Sequence, residues 1–333
     1  MKVAVLGSGS WGTALSQVAA CKGHDVLLLC RKPEVASSIN DLHVNPRYLS
    51  DQIMHDNITA TCDIDFALKG AHCVVVVTPS SIIRKVASEL ATKLSAEIPV
   101  IICSKGVEEE SGLLPIEVFE AEIGNKERLA VLSGPNHAEE VMQKIFSATV
   151  IASESKECCD FFQEIFATDF FRTYISDDPF GVELCAAFKN VIAIAVGISY
   201  GIGMGDNTAA LLMTRGQAEM SRLVSACSGN PITCMGLAGT GDLIATCTSP
   251  HSRNRKFGEL IANGGSLEQF VSETHMVVEG AYAAQTLRTL ALMYKVELPI
   301  TEVVYSIIWE GVNPKEAVQQ LATRPLSTEF YGI

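Results

Sequence analysis

The chain has 333 residues, long enough for two domains rather than one compact core. Its formal net charge of −13 at pH 7 argues against nucleic acid or an anionic membrane surface as a general partner. With 48% hydrophobic and 19% charged residues it is a globular chain, not a disordered one.

The chain opens on a short apolar strand over 3–6 that runs into Gly7-Ser8-Gly9-Ser10-Trp11-Gly12 and then a helical pattern over 11–20. A GxGxxG between strand and helix is the dinucleotide fingerprint. Gly7 permits the tight turn, Gly9 lets a pyrophosphate approach bare main chain, and Gly12 allows close helix–strand packing. The helix start would meet the phosphates with its free amides and positive dipole end. The alternative is a structural βα turn without a ligand. Residue 1 opens directly on this strand, so no signal peptide is expected.

A second strand over 26–30 ends at Cys30-Arg31-Lys32-Pro33-Glu34. The acid that would bind the ribose hydroxyls of NAD is missing from the strand end, and Arg31 suits a 2′-phosphate. NADPH is therefore favoured, with NADH still possible. In the other reading Glu34 serves the ribose and Arg31 is a solvated loop charge.

Further strands are expected over 73–77, 100–103, 129–132 and 149–152, with helices over 81–94 and 113–121. Continuous apolar runs of this kind fit a parallel sheet covered on both faces. Its carboxyl ends, where ligands sit, read Thr78-Pro79-Ser80, Ser104-Lys105-Gly106 and Ser133-Gly134-Pro135-Asn136. Lys105 places a cation there. His137 lies close by, but no His, Asp or Glu spacing suggests a triad or a metal site. The eleven cysteines are an odd number without a CxxC pair, and they read as buried reduced thiols of a cytoplasmic protein.

After Asp177-Asp178-Pro179 the pattern becomes helical, with segments over 182–195, 208–226, 252–262, 278–292, 300–310 and 313–323. The expected organisation is α/β, a Rossmann-type dinucleotide-binding domain at 1–180 followed by an all-α domain at 181–333. The longest apolar run, 191–202, is too short to span a bilayer and contains two glycines, so no stable membrane insertion is expected.

Lys189 stands inside an apolar helix, Glu183-Leu184-Cys185-Ala186-Ala187-Phe188-Lys189-Asn190-Val191. A buried lysine there would have a lowered pKa and could exchange a proton near neutrality, as hydride transfer to a ketone requires. The alternative is a helix-edge lysine with its ammonium in water. Asp242, in Gly239-Thr240-Gly241-Asp242-Leu243, could hold a lysine, orient a substrate hydroxyl, or cap the next helix. Ser249-Pro250-His251-Ser252-Arg253-Asn254-Arg255-Lys256 has a phosphate-binding composition at a helix start, although such a run in isolation is more often a solvated basic face.

These segments, with GPNHAEEV at 134–141, GDNTAALLMTRGQAEM at 205–220 and MVVEG at 276–280, resemble the bacterial-type NAD(P)-dependent glycerol-3-phosphate dehydrogenase family over nearly the whole chain. The resemblance implies a helical domain like the C-terminal domain of 6-phosphogluconate dehydrogenase. It also implies a reaction, the reduction of dihydroxyacetone phosphate to sn-glycerol 3-phosphate for glycerophospholipid synthesis. Lys189 then corresponds to the proton donor and acceptor. Lys105, Gly134, Asn136, Asp242, Ser252, Arg253 and Asn254 correspond to substrate positions. Asn136 departs from the hydroxyl residue usual there. Ser10, Trp11, Arg31, Lys105, Ala138, Arg253, Val277 and Glu279 correspond to cofactor positions. A homodimer acting on a phosphorylated small molecule is implied. The competing readings are another β-hydroxyacid or phosphogluconate-type dehydrogenase, and a non-catalytic NADPH-sensing protein.

Overall fold

The structure is a computed structural model describing residues 1–108, 110–250, 252–274, 277–326 and 328–329. His251 and Met276, each inside one of the motifs above, lie outside the described residues. The chain forms two compact units, one of 1–104 with 115–179, the other of 105–114 with 180–333.

The first unit is built on one eight-stranded sheet. Its strands are β1 (Lys2–Leu6), β2 (Asp25–Leu29), β3 (Ile58–Thr61), β4 (Cys73–Val76), β5 (Val100–Ile102), β6 (Leu129–Ser133), β7 (Ser147–Ala152) and β8 (Phe171–Ser176), in the order β3-β2-β1-β4-β5-β6-β7-β8. The helices are α1 (Ser10–Cys21), α2 (Pro33–Leu42), α3 (Ile64–Leu68), α4 (Ile83–Lys93), α5 (Pro115–Ile123), α6 (Ala138–Met142) and α7 (Lys156–Phe166). The first six strands are parallel, and their order reverses between β1 and β4, the point where doubly wound sheets bind ligands. Val3, Val5, Val75, Ile101 and Ala130 are buried in one continuous core, as strands covered on both faces require.

Two strands escape the sequence pattern. β3 reads ITAT, too polar to register as an apolar run, and β8 reads FRTYIS, alternating buried and exposed along its first four residues. The expectation of a wholly parallel sheet is also corrected. β7 pairs antiparallel with β6, at Val131–Ala152, Leu132–Ile151 and Ser133–Val150. Only the 13 residues between Ser133 and Ser147 connect the two strands, and they hold the single short helix α6.

The second unit is helical: α8 (Pro179–Gly201), α9 (Asp206–Ala226), α10 (Asp242–Thr248), α11 (Arg253–Ala262), α12 (Leu267–Thr274), α13 (Glu279–Tyr294), α14 (Pro299–Trp309) and α15 (Pro314–Ala322). α10 and α12 are too short to show a clear period in sequence. α8 is the one helix among the described residues long and apolar enough to cross a membrane, and it is buried as the core of the unit. Its backbone runs close to that of α11. A Cβ on Gly197 would sit 2.0 Å from the Arg255 carbonyl oxygen, and one on Gly258 2.2 Å from that of Ile194. Gly280 brings α13 against the same helix, where a Cβ would sit 2.6 Å from the Asn190 carbonyl oxygen. Three glycines thus pin the helix that carries Lys189.

Candidate active site

The glycine turn of the first unit has the geometry its spacing requires. Gly7 has φ +120°, and a Cβ there would lie 2.5 Å from the Val77 carbonyl oxygen. A Cβ on Gly12 would strike the Gly7 carbonyl at 1.9 Å, so α1 packs directly on the turn. At Gly9 a Cβ would meet nothing within 4 Å. That space opens at the start of α1, whose N-cap is Gly9, with no capping side chain and no acid in its first turn. Bare amides and an unneutralised dipole end suit an anion, so the turn fits a pyrophosphate.

The sheet register extends this cradle. Leu6 pairs with Leu29 and with Val76, Val76 with Ile102, and Ile102 with Val131. Two residues past these positions stand Arg31, Ser8, Thr78, Ser104 and Ser133, a polar row along the carboxyl edge of five adjacent strands. The hydroxyls of Thr78, Ser104 and Ser133 are buried without a hydrogen-bond partner, as is Asn136 Oδ1. Buried polar atoms rarely stay unsatisfied, so this edge has the donors and acceptors an extended polar ligand needs. Asn136 donates to the Ala148 carbonyl at 2.9 Å, and its amide nitrogen donates to the Gly134 carbonyl at 2.8 Å. Ala138 is buried as the first residue of α6, and Arg31 is exposed.

In the second unit, Asp242 stands between two lysines. Lys189 Nζ lies 2.5 Å from Asp242 Oδ1, and Lys105 Nζ lies 2.7 Å from Oδ2. The Asp242 and Lys189 side chains are 4% and 7% exposed, whereas Lys105 keeps 20%. Asp242 is the first residue of α10, where the helix dipole favours a carboxylate, and it does not serve as the cap, which is Gly241. Thr246, one turn further along α10, accepts from Lys189 Nζ at 2.9 Å and donates to Asp242 Oδ1 at 3.3 Å.

One carboxylate cannot fully compensate two ammonium groups. Burial is the largest influence on Lys189. Asp242 opposes it, Lys105 reinforces it, and the pKa is lowered from 10.5 to about 8. Burial also weighs against the Lys105 charge, but the Asp242 carboxylate outweighs it and holds that pKa above its ordinary value. Burial would raise the Asp242 carboxyl, yet the two lysines hold it below the usual range. The more buried lysine is the one left able to exchange a proton near neutral pH.

Beside this cluster, Asn190 ties three segments together. Its Oδ1 accepts from Asn254 Nδ2 at 2.9 Å, and its Nδ2 donates to Glu279 Oε2 at 3.4 Å. Asn254 Oδ1 accepts from the Gly280 amide at 3.0 Å. Ser252 caps α11 by accepting from the Arg255 amide, and Arg253 is exposed at the first position of that helix. Val277 is 50% exposed just before α13.

Comparison with known proteins gives this arrangement its place. Residues 2–159 match the family model for the N-terminus of NAD-dependent glycerol-3-phosphate dehydrogenase, and 178–319 match the model for its C-terminus. The chain belongs to the NAD-dependent glycerol-3-phosphate dehydrogenase family. It is 43% identical to glycerol-3-phosphate dehydrogenase [NAD(P)+] of Enterococcus faecalis, over 98% of this chain and 97% of that one. It is 42% identical to that of Thermoanaerobacter sp. over 100% of both chains. The crystal structure of glycerol-3-phosphate dehydrogenase from Coxiella burnetii superposes with a TM-score of 0.92 at 36% identity, covering 97% of this chain and 99% of that one.

Lys189, Asp242 and Lys105 stand out in the sequence, and the fold gathers the two lysines on the Asp242 carboxylate. Thr246 and Asn190 do not stand out in the sequence. Thr246 follows Asp242 by four residues, a same-face helical spacing, but α10 is too short to be seen as a helix in sequence. Asn190 adjoins Lys189, and nothing in its spacing points to Asn254 or Glu279, which lie 64 and 89 residues away. Among the described residues, no cluster of three or more His, Cys, Asp or Glu could hold a metal ion.

Proposed function

We propose that the protein is an NAD(P)-dependent sn-glycerol-3-phosphate dehydrogenase that reduces dihydroxyacetone phosphate and feeds glycerophospholipid synthesis. The observation that carries this reading is the buried Lys189–Asp242–Lys105 cluster, with its one lysine of lowered pKa. A bound nicotinamide supplies the hydride to C2 of the substrate, or accepts it in the reverse direction. Lys189 Nζ holds the proton that the C2 oxygen takes as negative charge develops on it. Asp242 and Thr246 fix the direction of that ammonium, and Lys105 adds a second positive charge for the developing oxyanion. Arg253, exposed at the start of α11, receives the substrate phosphate together with that helix's amides. Ser252 and Asn254 hold the segment in shape, with both ends of the Asn254 amide already bonded.

On the dinucleotide side, Gly7, Gly9, Ser10, Trp11 and Gly12 form the pyrophosphate turn, and Arg31 reads the 2′-phosphate, so NADPH is the preferred cofactor. Gly134, Asn136 and Ala138 lie further along the same edge, at the end of β6. Glu279 and Val277, at the start of α13, complete the cofactor positions. In the same reading the protein is a soluble cytoplasmic homodimer, associating through its helical unit.

The test is turnover of dihydroxyacetone phosphate, hydroxyisobutyrate and 6-phosphogluconate, each with NADPH and with NADH. Oxidation of NADPH with dihydroxyacetone phosphate alone supports the proposal, and activity only with the other two overturns it. A protein that binds NADPH but shows no absorbance loss with any ketone phosphate is a sensor, not this enzyme.

A further inference from the structure

Ser8, in the middle of the glycine turn, is approached from two sides. Cys30, at the end of β2, has a pKa raised by burial and partly offset by a hydrogen bond with the Ser8 side chain. From the other side Asn45 Nδ2 donates to the Ser8 carbonyl at 3.0 Å and to Thr13 Oγ1 at 2.9 Å. Asn45 is fully buried, although it lies in a loop, and its Oδ1 accepts from the amides of Arg47 and Tyr48, both at 3.2 Å. Nδ2 thus ties the loop after α2 to the dinucleotide turn and α1, while Oδ1 holds the loop's own backbone at Arg47 and Tyr48. The loop is fastened at further points. Ser38 Oγ donates to the Val44 carbonyl, Met54 N to the His43 carbonyl, and His55 N to Gln17 Oε1 at 2.8 Å.

Each of the two segments that bond Ser8 carries an arginine. Arg31 is one residue beyond Cys30, and Arg47 is two beyond Asn45. At about 3.8 Å per residue, the Arg31 and Arg47 Cα atoms lie at most about 8 Å from those of Cys30 and Asn45, the residues that bond Ser8. Both are exposed, and neither makes an ion pair or a side-chain hydrogen bond among the described residues. In a chain of net charge −13, exposed cations on segments bonded to an anion-binding turn have a ligand as their natural partner.

We infer that Arg47, held in place by Asn45, is a second cationic contact for the 2′-phosphate of the dinucleotide, opposite Arg31. Asn45 is the positioning residue, and Arg47 touches the ligand. This rests on the proposed use of NADPH and extends it to a specificity determinant outside the strand end where such residues are sought. Two arginines from separate segments can form charge-assisted, bidentate hydrogen bonds with a phosphate dianion that a 2′-hydroxyl cannot reproduce.

The test is calorimetric binding of NADPH, NADH, 2′,5′-ADP and 5′-AMP to the full-length wild type, Arg47→Ala and Asn45→Ala, which needs no turnover. Arg47→Ala is expected to weaken NADPH and 2′,5′-ADP about tenfold, while NADH and 5′-AMP change less than about twofold. Asn45→Ala is expected to lower the preference for NADPH over NADH in the same sense. An equal loss for all four ligands in Arg47→Ala, or no loss, overturns the inference. A lowered melting temperature with unchanged preference in Asn45→Ala overturns its positioning role. A wild type that binds no dinucleotide counts against the proposed function itself. Retained binding with unchanged preference in Arg47→Ala counts against this inference alone.

Discussion

Lys189 Nζ lies 2.5 Å from Asp242 Oδ1, a contact across 53 residues of sequence that joins the middle of α8 to the first residue of α10. Lys105 takes the other oxygen of the same carboxylate at 2.7 Å, so the buried cluster carries more positive than negative charge. Burial, reinforced by the second lysine, lowers the Lys189 pKa to about 8 and makes the residue suitable for proton exchange.

Replacing Lys189 by Ala should reduce kcat by about 10² to 10⁴, the usual range for a general acid or base, without changing the Kd for NADPH. In the wild type, ketone reduction needs the protonated amine, so its rate should fall as pH rises through about 8. Alcohol oxidation needs the neutral amine and should rise through the same pH. Matching slopes in both directions would remove Lys189 from the proton step.

Asp242→Asn should leave two buried ammonium groups facing a neutral amide. The Lys189 pKa would then fall further, and the alkaline limb of the reduction profile should move to lower pH. Loss of one partner from a buried ionic cluster costs about 3 kcal/mol, to be read from chemical unfolding. An unshifted pH limb would show that Asp242 does not set the lysine's charge.

Glu219 offers a stability test away from the site. Its buried carboxylate accepts from the Ile300 and Thr301 amides, at 2.6 and 3.2 Å, and so caps α14 from α9. Burial is the main influence and raises its pKa to about 7. The folded protein therefore holds this proton more tightly than the unfolded chain. The resulting stability is present in full below about pH 4.5 and is lost as pH rises through about 7. Glu219→Gln should flatten this part of the stability–pH curve. Glu219→Ala, which leaves the α14 amides unmet, should cost about 2 kcal/mol in urea unfolding. A Gln variant with an unchanged slope would assign the pH dependence elsewhere.

Arg31→Ala should raise KM for NADPH more than KM for NADH, by about tenfold relative to it. Steady-state kinetics with both cofactors measure this directly. Equal changes in the two constants would show that Arg31 does not read the 2′-phosphate.

Much of this protein could be read from local sequence, because the relevant physics is local. Strand β1, the Gly7–Gly12 spacing and the start of α1 are contiguous, and a turn that needs φ +120° at Gly7 declares itself by its residue type. The apolar runs of β4, β5 and β6 report burial on both faces, and α8 reports itself by length and composition. β3 and β8 were not legible, since strands with polar residues owe their place to the sheet edge rather than to their own hydrophobicity. The antiparallel β7 was not legible either, because strand direction depends on the path of the connection and not on the strand.

The candidate site divides along the same line. By itself the sequence determined which residue types were unusual in their surroundings: a lysine in an apolar helix, an aspartate after Gly241, and glycines before a helix. Tertiary structure alone decided that Lys189 and Lys105 share the two oxygens of Asp242, that Asn190 bridges Asn254 and Glu279, and that Asn45 grips Ser8. Each of these contacts joins residues 37 or more positions apart, many of them on elements too short or too polar to be seen in sequence. A pKa depends on distance and burial, which a one-dimensional pattern does not contain. The lysine could be noticed in the sequence; its proton became chemically useful only once the fold had buried it, with a second lysine against the same carboxylate.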